Sequence, residues 1–158
     1  MEIQIYTDGG CSGNKRNADC PGAWAYLLVD PSGTIIDQGD GKMLNTTNNR
    51  MEMMAVIKGL QKVKFYFDQY CDGSKNNECV VISDSKYIVD NIHYLDGWIK
   101  KGWTRSGGGS VINSDLWKEI NAFFPEYKSL TFRWVQGHGT NMLNQKADAL
   151  VRAHLYPT

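Results

Sequence analysis

The sequence predicts an α/β domain in which helices pack on a mixed β-sheet. Three observations carry this. Period-two alternation and short apolar runs fill residues 2–42 and return twice later in the chain, whereas helical spacing of apolar side chains marks the segments between. Chain order reads β-β-β-α-β-α-α-β-α, and strands joined by short turns pair antiparallel while strands joined through helices pair in parallel. A length of 158 residues with 42% apolar side chains is enough for one buried core.

Each element has its own signal. Glu2–Thr7 alternates through Ile3 and Ile5 and is broken by Asp8-Gly9-Gly10. After the polar segment Ser12–Pro21, Gly22–Val29 reads as a strand, Asp30-Pro31-Ser32-Gly33 as a turn, and Thr34–Lys42 as its antiparallel partner. Met53, Val56, Ile57, Leu60, Val63 and Phe67 form the stripe of an amphipathic helix, and Thr47-Asn48-Asn49 before it supplies N-cap chemistry. Asp72–Glu78 is a loop, and Cys79–Ile82 is a continuously apolar run that fits a buried central strand. Ser85–Ile92 and Ser114–Phe124 read as helices, the second stopped by Pro125; Leu130–Val135 is a strand and Leu143–Leu155 a closing helix.

Composition excludes several classes. An aromatic content of 11% and a charged content of 22% argue against a disordered tail or a fibre. The longest apolar run, Ala23–Val29, has seven residues, far short of the roughly 20 that span a bilayer. Met1-Glu2-Ile3-Gln4 lacks the basic and apolar regions of a leader, so the expected compartment is the cytoplasm, with no membrane partner. Cys11, Cys20, Cys71 and Cys79 lack zinc-knuckle spacing and are expected as thiols, although a Cys71–Cys79 bridge across the loop is conceivable. The 17 basic residues cancel 17 acidic ones. If four acids belong to one metal site, the remainder carries four excess positive charges, which suits a polyanionic ligand.

Three of four notable acids sit where active sites of mixed sheets collect, at strand ends and helix starts, and the fourth lies on the closing helix. Asp8 ends the first strand, Asp84 follows the buried strand, Glu52 lies in the first turn of the first long helix, and Asp148 lies on the last helix. Singly, each has a plain structural reading: Asp8 as a turn residue, Glu52 as a capping-box partner of Asn49, Asp84 as an N-cap, Asp148 as a solvated helix face.

Five segments occur in order: Tyr6-Thr7-Asp8-Gly9-Gly10-Cys11, Thr46-Thr47-Asn48-Asn49-Arg50-Met51-Glu52-Met53-Met54-Ala55, Ser83-Asp84-Ser85-Lys86-Tyr87, Trp134-Val135-Gln136-Gly137-His138 and Asn144-Gln145-Lys146-Ala147-Asp148. Together they closely resemble type 1 ribonuclease H of the bacterial kind, over about residues 2–154. The resemblance implies a ribonuclease H-like fold, a five-stranded mixed sheet of order 3-2-1-4-5 flanked by helices. It implies one catalytic domain over 1–158, with a basic protrusion at about 93–113. The activity implied is endonucleolytic hydrolysis of RNA in RNA–DNA hybrids by a monomer, leaving 5′-phosphate and 3′-hydroxyl ends.

The family's metal-binding carboxylates carry over to Asp8, Glu52, Asp84 and Asp148, with two Mg²⁺ ions as cofactors in the presence of substrate and Mn²⁺ as a substitute. Hard divalent ions favour such oxygen ligands, and a pair of them can activate water and stabilise the leaving oxygen in line. His138 carries over as the loop histidine that shuttles a proton or helps product leave; its residue type titrates near neutrality. On the RNA side the resemblance places Cys11, Asn14, Asn48 and Lys86, with Asn49 close by, where the 2′-hydroxyl is read. The DNA phosphate pocket carries over to Thr47 and Asn113, with Arg50 near it; helix capping is the structural alternative for the first two. Trp98, Lys100, Lys101 and Trp103 belong to Trp98–Arg105, which has three positive charges and no acid and matches the protrusion that grips DNA.

Some residues depart from the common pattern. Lys86 stands for a glutamine, Gln136 for a lysine, Thr140-Asn141 for a second Gly-His pair, and Ser106–Ser110 for a lysine-bearing stretch, while Lys15–Cys20 lengthens an early loop. Two other readings compete. A DNA-cutting or strand-transfer enzyme shares the carboxylates but not the Thr46–Glu52 segment with the protrusion. A non-catalytic hybrid-binding module is expected to lack one carboxylate.

Overall fold

The structure is a computed structural model that describes residues 1–12, 21–137 and 139–157. The predicted sheet is present: β1 (Glu2–Cys11), β2 (Gly22–Val29), β3 (Ile35–Met43), β4 (Glu78–Ser83) and β5 (Ser129–Trp134) lie in the order β3-β2-β1-β4-β5. β2 pairs antiparallel with both β1 and β3, and β4 pairs parallel with β1 and β5. Helices α1 (Asn48–Tyr70), α2 (Lys86–Asn91), α3 (Leu95–Lys100), α4 (Ser114–Asn121) and α5 (Met142–Leu155) complete the described chain.

Two differences from the expected elements have physical causes. β1 does not stop at Thr7 but continues through Asp8-Gly9-Gly10 to Cys11, with Gly9 opposite Trp24 and Gly10 opposite Ala23. Glycine in a strand often marks a close approach by another backbone, which is its role here. The second helical region is also longer than expected: after α2, one 3₁₀ turn at Ile92–Tyr94 leads into α3, a short helix whose Gly97 weakens the helical signal.

The α1 stripe does what its spacing predicts. Met53, Val56, Leu60, Val63 and Phe67 are buried against Ile3, Ile5, Leu28 and Val81 on one face of the sheet, where Trp117 and Ile120 of α4 join them. α5 covers the other face, with Ala147 beside Tyr6, Leu27, Val80 and Ile82, and Val151 beside Ala23 and Ala25. Thr47 caps α1, accepting a 3.2 Å hydrogen bond from the Arg50 N–H, and Asn141 caps α5, accepting 2.9 Å from the Asn144 N–H. Cys71 and Cys79 form no bridge, and Cys20 lies outside the described residues. No described helix is long and apolar enough to cross a membrane.

Candidate active site

Strand β1 carries Asp8 in the middle of the sheet, and parallel pairing sets Thr7 beside Ser83, so Asp84 emerges next to it at the end of β4. Glu52 arrives from α1 because Gly9 has no side chain. A Cβ on Gly9 would sit 2.3 Å from the Met51 carbonyl carbon and 2.4 Å from the Glu52 nitrogen, both backbone atoms. Carboxylate oxygens of Asp8, Glu52 and Asp84 consequently all lie within 4.8 Å of one another. Asp148 of α5 lines the same cleft, of about 430 Å³, but stands outside that tight trio.

Other side chains hold the acids. Asn144, 2% exposed, hydrogen-bonds the Asp84 carboxylate from α5, and the Trp134 indole N–H donates to the Asp84 carbonyl at 3.2 Å. Ser85 caps α2, accepting from the Ile88 N–H at 3.3 Å, and its own N–H donates to Ser83 Oγ at 3.0 Å. A Cβ on Gly137 would lie 3.0 Å from Asp84 Oδ2, so the loop after β5 passes directly over that carboxylate. His138, the next residue, lies outside the described residues, as does Asn14.

Electrostatically the trio is poised for a cation. Burial, reinforced by the charges of Asp84 and Asp148, pushes Asp8 up from 3.8 to about 8. Burial and the charges of Asp8 and Asp84 hold Glu52 well above the usual carboxylate range, and burial also raises Asp84. Glu52 Oε1 is buried with no hydrogen-bond partner. Clustered acids that resist ionisation, one with an orphaned oxygen, are the donor set a hard divalent ion satisfies.

This predicts an inverted pH dependence for the metal-free protein. Between the ordinary Asp value of 3.8 and about 8, folded Asp8 holds a proton that the unfolded chain releases. The folded state then binds more protons, so stability must fall as pH rises through that window. The lowered carboxyls Asp30, Asp68 and Asp115 contribute stability above their unfolded pKa and lose it as pH falls through their folded values, so they do not produce a decline on this rising side. Calorimetry in EDTA should show Tm dropping from pH 5 to pH 8, with a shallower drop in Asp8→Asn. A Tm that climbs over that range would refute the clustering.

The proposed substrate contacts fall into three groups. Asn48, Asn49 and Lys86 line the cleft with the acids, and the Cys11 N–H donates to Asn48 Oδ1 at 2.6 Å. Thr47 and Asn113 converge on Arg50, whose guanidinium donates to Asn113 Oδ1 at 3.2 Å and to both Asp115 oxygens at 3.0 and 2.8 Å. Thr47 does cap its helix, whereas Asn113, left-handed at φ 59, occupies the N-cap position of α4 without capping. Its side chain instead donates to the Tyr87 hydroxyl at 3.1 Å.

The third group is the protrusion. Trp98 packs against Trp117 at 5.6 Å and against Trp103 at 6.2 Å between ring centroids, and Tyr87 meets Trp117 at 5.8 Å. A continuous aromatic chain thus links the acidic cleft, which Tyr87 lines, to the protrusion. Trp103 adopts φ 62, a strained conformation for so bulky a residue, and Lys118 covers its ring at 5.5 Å. The tryptophans therefore brace the protrusion, leaving Lys100 and Lys101 exposed. Asn144, Gly9, Asp115 and Tyr87 were not singled out from sequence as functional. Gly9, Tyr87 and Asn144 stand inside the quoted segments without a role of their own, and Asp115 stands in none of them.

With this geometry in view, the relatives fall into place. The ribonuclease H family model matches residues 1–156. The chain belongs to the ribonuclease H family. It is 41% identical over 157 residues to the ribonuclease H of Lachnoclostridium phytofermentans, covering 95% of this chain and 89% of that one. It is 36% identical over 151 residues to that of a Cyanothece species, covering 95% and 87%. Among solved structures, LC9-RNase H1, described as a type 1 enzyme with the type 2 active-site motif, superposes with TM-score 0.76 at 28% identity, covering 97% of this chain and 72% of that one. LC11-RNase H1, solved with an RNA/DNA hybrid, shares the fold at TM-score 0.70 and 24% identity, covering 97% and 96%.

Proposed function

We propose that this ribonuclease H family chain hydrolyses the RNA strand of RNA–DNA hybrids as an endonuclease, leaving 5′-phosphate and 3′-hydroxyl ends. The observation that carries the reading is the trio of buried Asp8 and Glu52 with half-buried Asp84, within 4.8 Å of one another, with Glu52 Oε1 unpartnered. These three and Asp148 would hold two divalent ions, Mg²⁺ first and Mn²⁺ as a substitute. When bound, such ions supply water activation and stabilisation of the leaving oxygen.

The chain's own residues do the rest. Asn144 and the Trp134 N–H fix Asp84, and Gly9 admits Glu52. Cys11, Asn14, Asn48, Asn49 and Lys86 face the RNA strand, where 2′-hydroxyls distinguish it from DNA. Thr47 and Asn113, tied together by Arg50, receive a DNA phosphate. His138 moves a proton or releases product. Trp98 and Trp103 set the frame from which Lys100 and Lys101 reach the DNA backbone. The reading takes 1–158 as one catalytic domain with its protrusion at about 93–113, acting as a monomer in the cytoplasm.

Lys101 and Arg105 line one cleft of the protrusion, of about 510 Å³. Changing Lys100, Lys101 and Arg105 to Ala together should flatten the slope of log K against log salt by up to about 2–3 units, at about 0.9 per phosphate. An unchanged slope in a binding titration would make the protrusion purely structural.

The function is tested by incubating end-labelled hybrid, duplex DNA and duplex RNA with Mg²⁺ or EDTA. Only the hybrid should be cut, only in its RNA strand and only with metal. Cleavage of duplex DNA would favour the DNA-cutting reading, and tight hybrid binding without cleavage the binding module.

A further inference from the structure

The catalytic cleft contains a second cation that the acids do not use. Arg152 lines it together with Asp8, Glu52, Asp84 and Asp148. It follows Asp148 by one turn of α5, about 6 Å along the helix at 1.5 Å per residue. A guanidinium beside four carboxylates would be expected to pair with one. Among the described residues it forms no ion pair. It rests instead over the Tyr156 ring at 5.8 Å. Lys86 is held in the same way, over Trp134 at 5.0 Å, also at the cleft and also without an ion pair among the described residues. Two cations parked on aromatic faces beside an acidic cluster leave both their charges open to an incoming anion.

The surroundings of Arg152 indicate which strand it meets. A Cβ on Gly10 would lie 3.8 Å from Asn48 Oδ1, 3.8 Å from Leu155 and 3.9 Å from Val151, so this stretch of α5 flanks the β1–Asn48 corner. The Arg50–Asn113–Asp115 network belongs to a different set of contacts. We propose that Arg152 is a phosphate-binding residue for the RNA strand, in the cleft that holds the four acids. The proposal rests on the hybrid-cleaving reading above.

The test compares wild type, Arg152→Ala and Arg152→Lys in Mg²⁺ on hybrid substrate, with Tm as a control for α5. Arg152→Ala should raise KM roughly tenfold at low salt and reduce the salt slope by about 0.9, while kcat stays near wild type. Arg152→Lys should recover the slope. A series of hybrids, each with one neutral methylphosphonate, should reveal one RNA-strand position whose neutralisation weakens wild type but not Arg152→Ala. Three results would overturn the proposal: unchanged KM and slope, a fall in kcat alone, or a sensitive position in the DNA strand. Failure of wild type to cut any hybrid would instead overturn the functional reading on which the proposal rests.

Discussion

Replacing Asp8 with Asn, Glu52 with Gln or Asp84 with Asn is expected to lower kcat on an RNA–DNA hybrid by about 10³-fold or more. Each change removes charge from a site that must hold divalent ions, and charge stabilisation of several kcal/mol corresponds to that factor at 1.36 kcal/mol per tenfold. Stability should move the other way. Burial and mutual repulsion already oppose ionisation of these groups, so a neutral amide relieves a cost of folding. Glu52→Gln is the cleanest case, because an amide N–H can donate to Asp8 much as the protonated carboxyl does. Asp148→Asn should be the mildest, since that carboxylate stands outside the close trio. Parallel kinetics and thermal melts decide the matter. Variants that lose activity only because they unfold would count against the site.

Gly9→Ala is expected to damage fold and activity together. Its methyl carbon would fall 2.3–2.5 Å from the Met51 carbonyl group and the Glu52 nitrogen, and backbone cannot swing aside as a side chain would. α1 must move away from β1, at the roughly 1–3 kcal/mol typical of overpacking, and Glu52 moves with it. That loss corresponds to a Tm decrease of several degrees at about 2–4 °C per kcal/mol. Gly10→Ala is the control, because its methyl would meet nothing nearer than 3.8 Å. If Gly9→Ala melts like wild type and keeps its activity, the close approach is not what places Glu52.

These two residues show where a sequence can be read and where it cannot. Strand alternation and the α1 stripe fix which side chains enter the core, because burial follows period two and period 3.6 directly. Asp8-Gly9-Gly10, by contrast, has the local chemistry of a turn yet continues β1, and the reason for Gly9 is a helix 42 residues further on. The carboxylates were legible through motif order and their positions beside strand ends and helix starts. Asn144 was not, because an asparagine inside a helix carries no sign of the carboxylate it will hold. The sequence sets the tryptophans of the protrusion among its cations. Their packing on Trp117 and on each other is a tertiary fact that interleaving with lysines cannot reveal. Capping, the structural alternative for both pocket candidates, holds for Thr47 but not for Asn113, which occupies a cap position and turns its side chain to Arg50 and Tyr87.

The most direct test of the account is a Mg²⁺ titration of thermal stability at pH 8, with no substrate present. A ligand that binds only the folded state raises its stability by mass action. If Asp8, Glu52 and Asp84 form a divalent-ion site, Mg²⁺ should raise the wild-type Tm saturably, and Asp8→Asn and Glu52→Gln should lose most of that rise. A wild-type Tm that does not respond to Mg²⁺, or an equal rise in both variants, would contradict it.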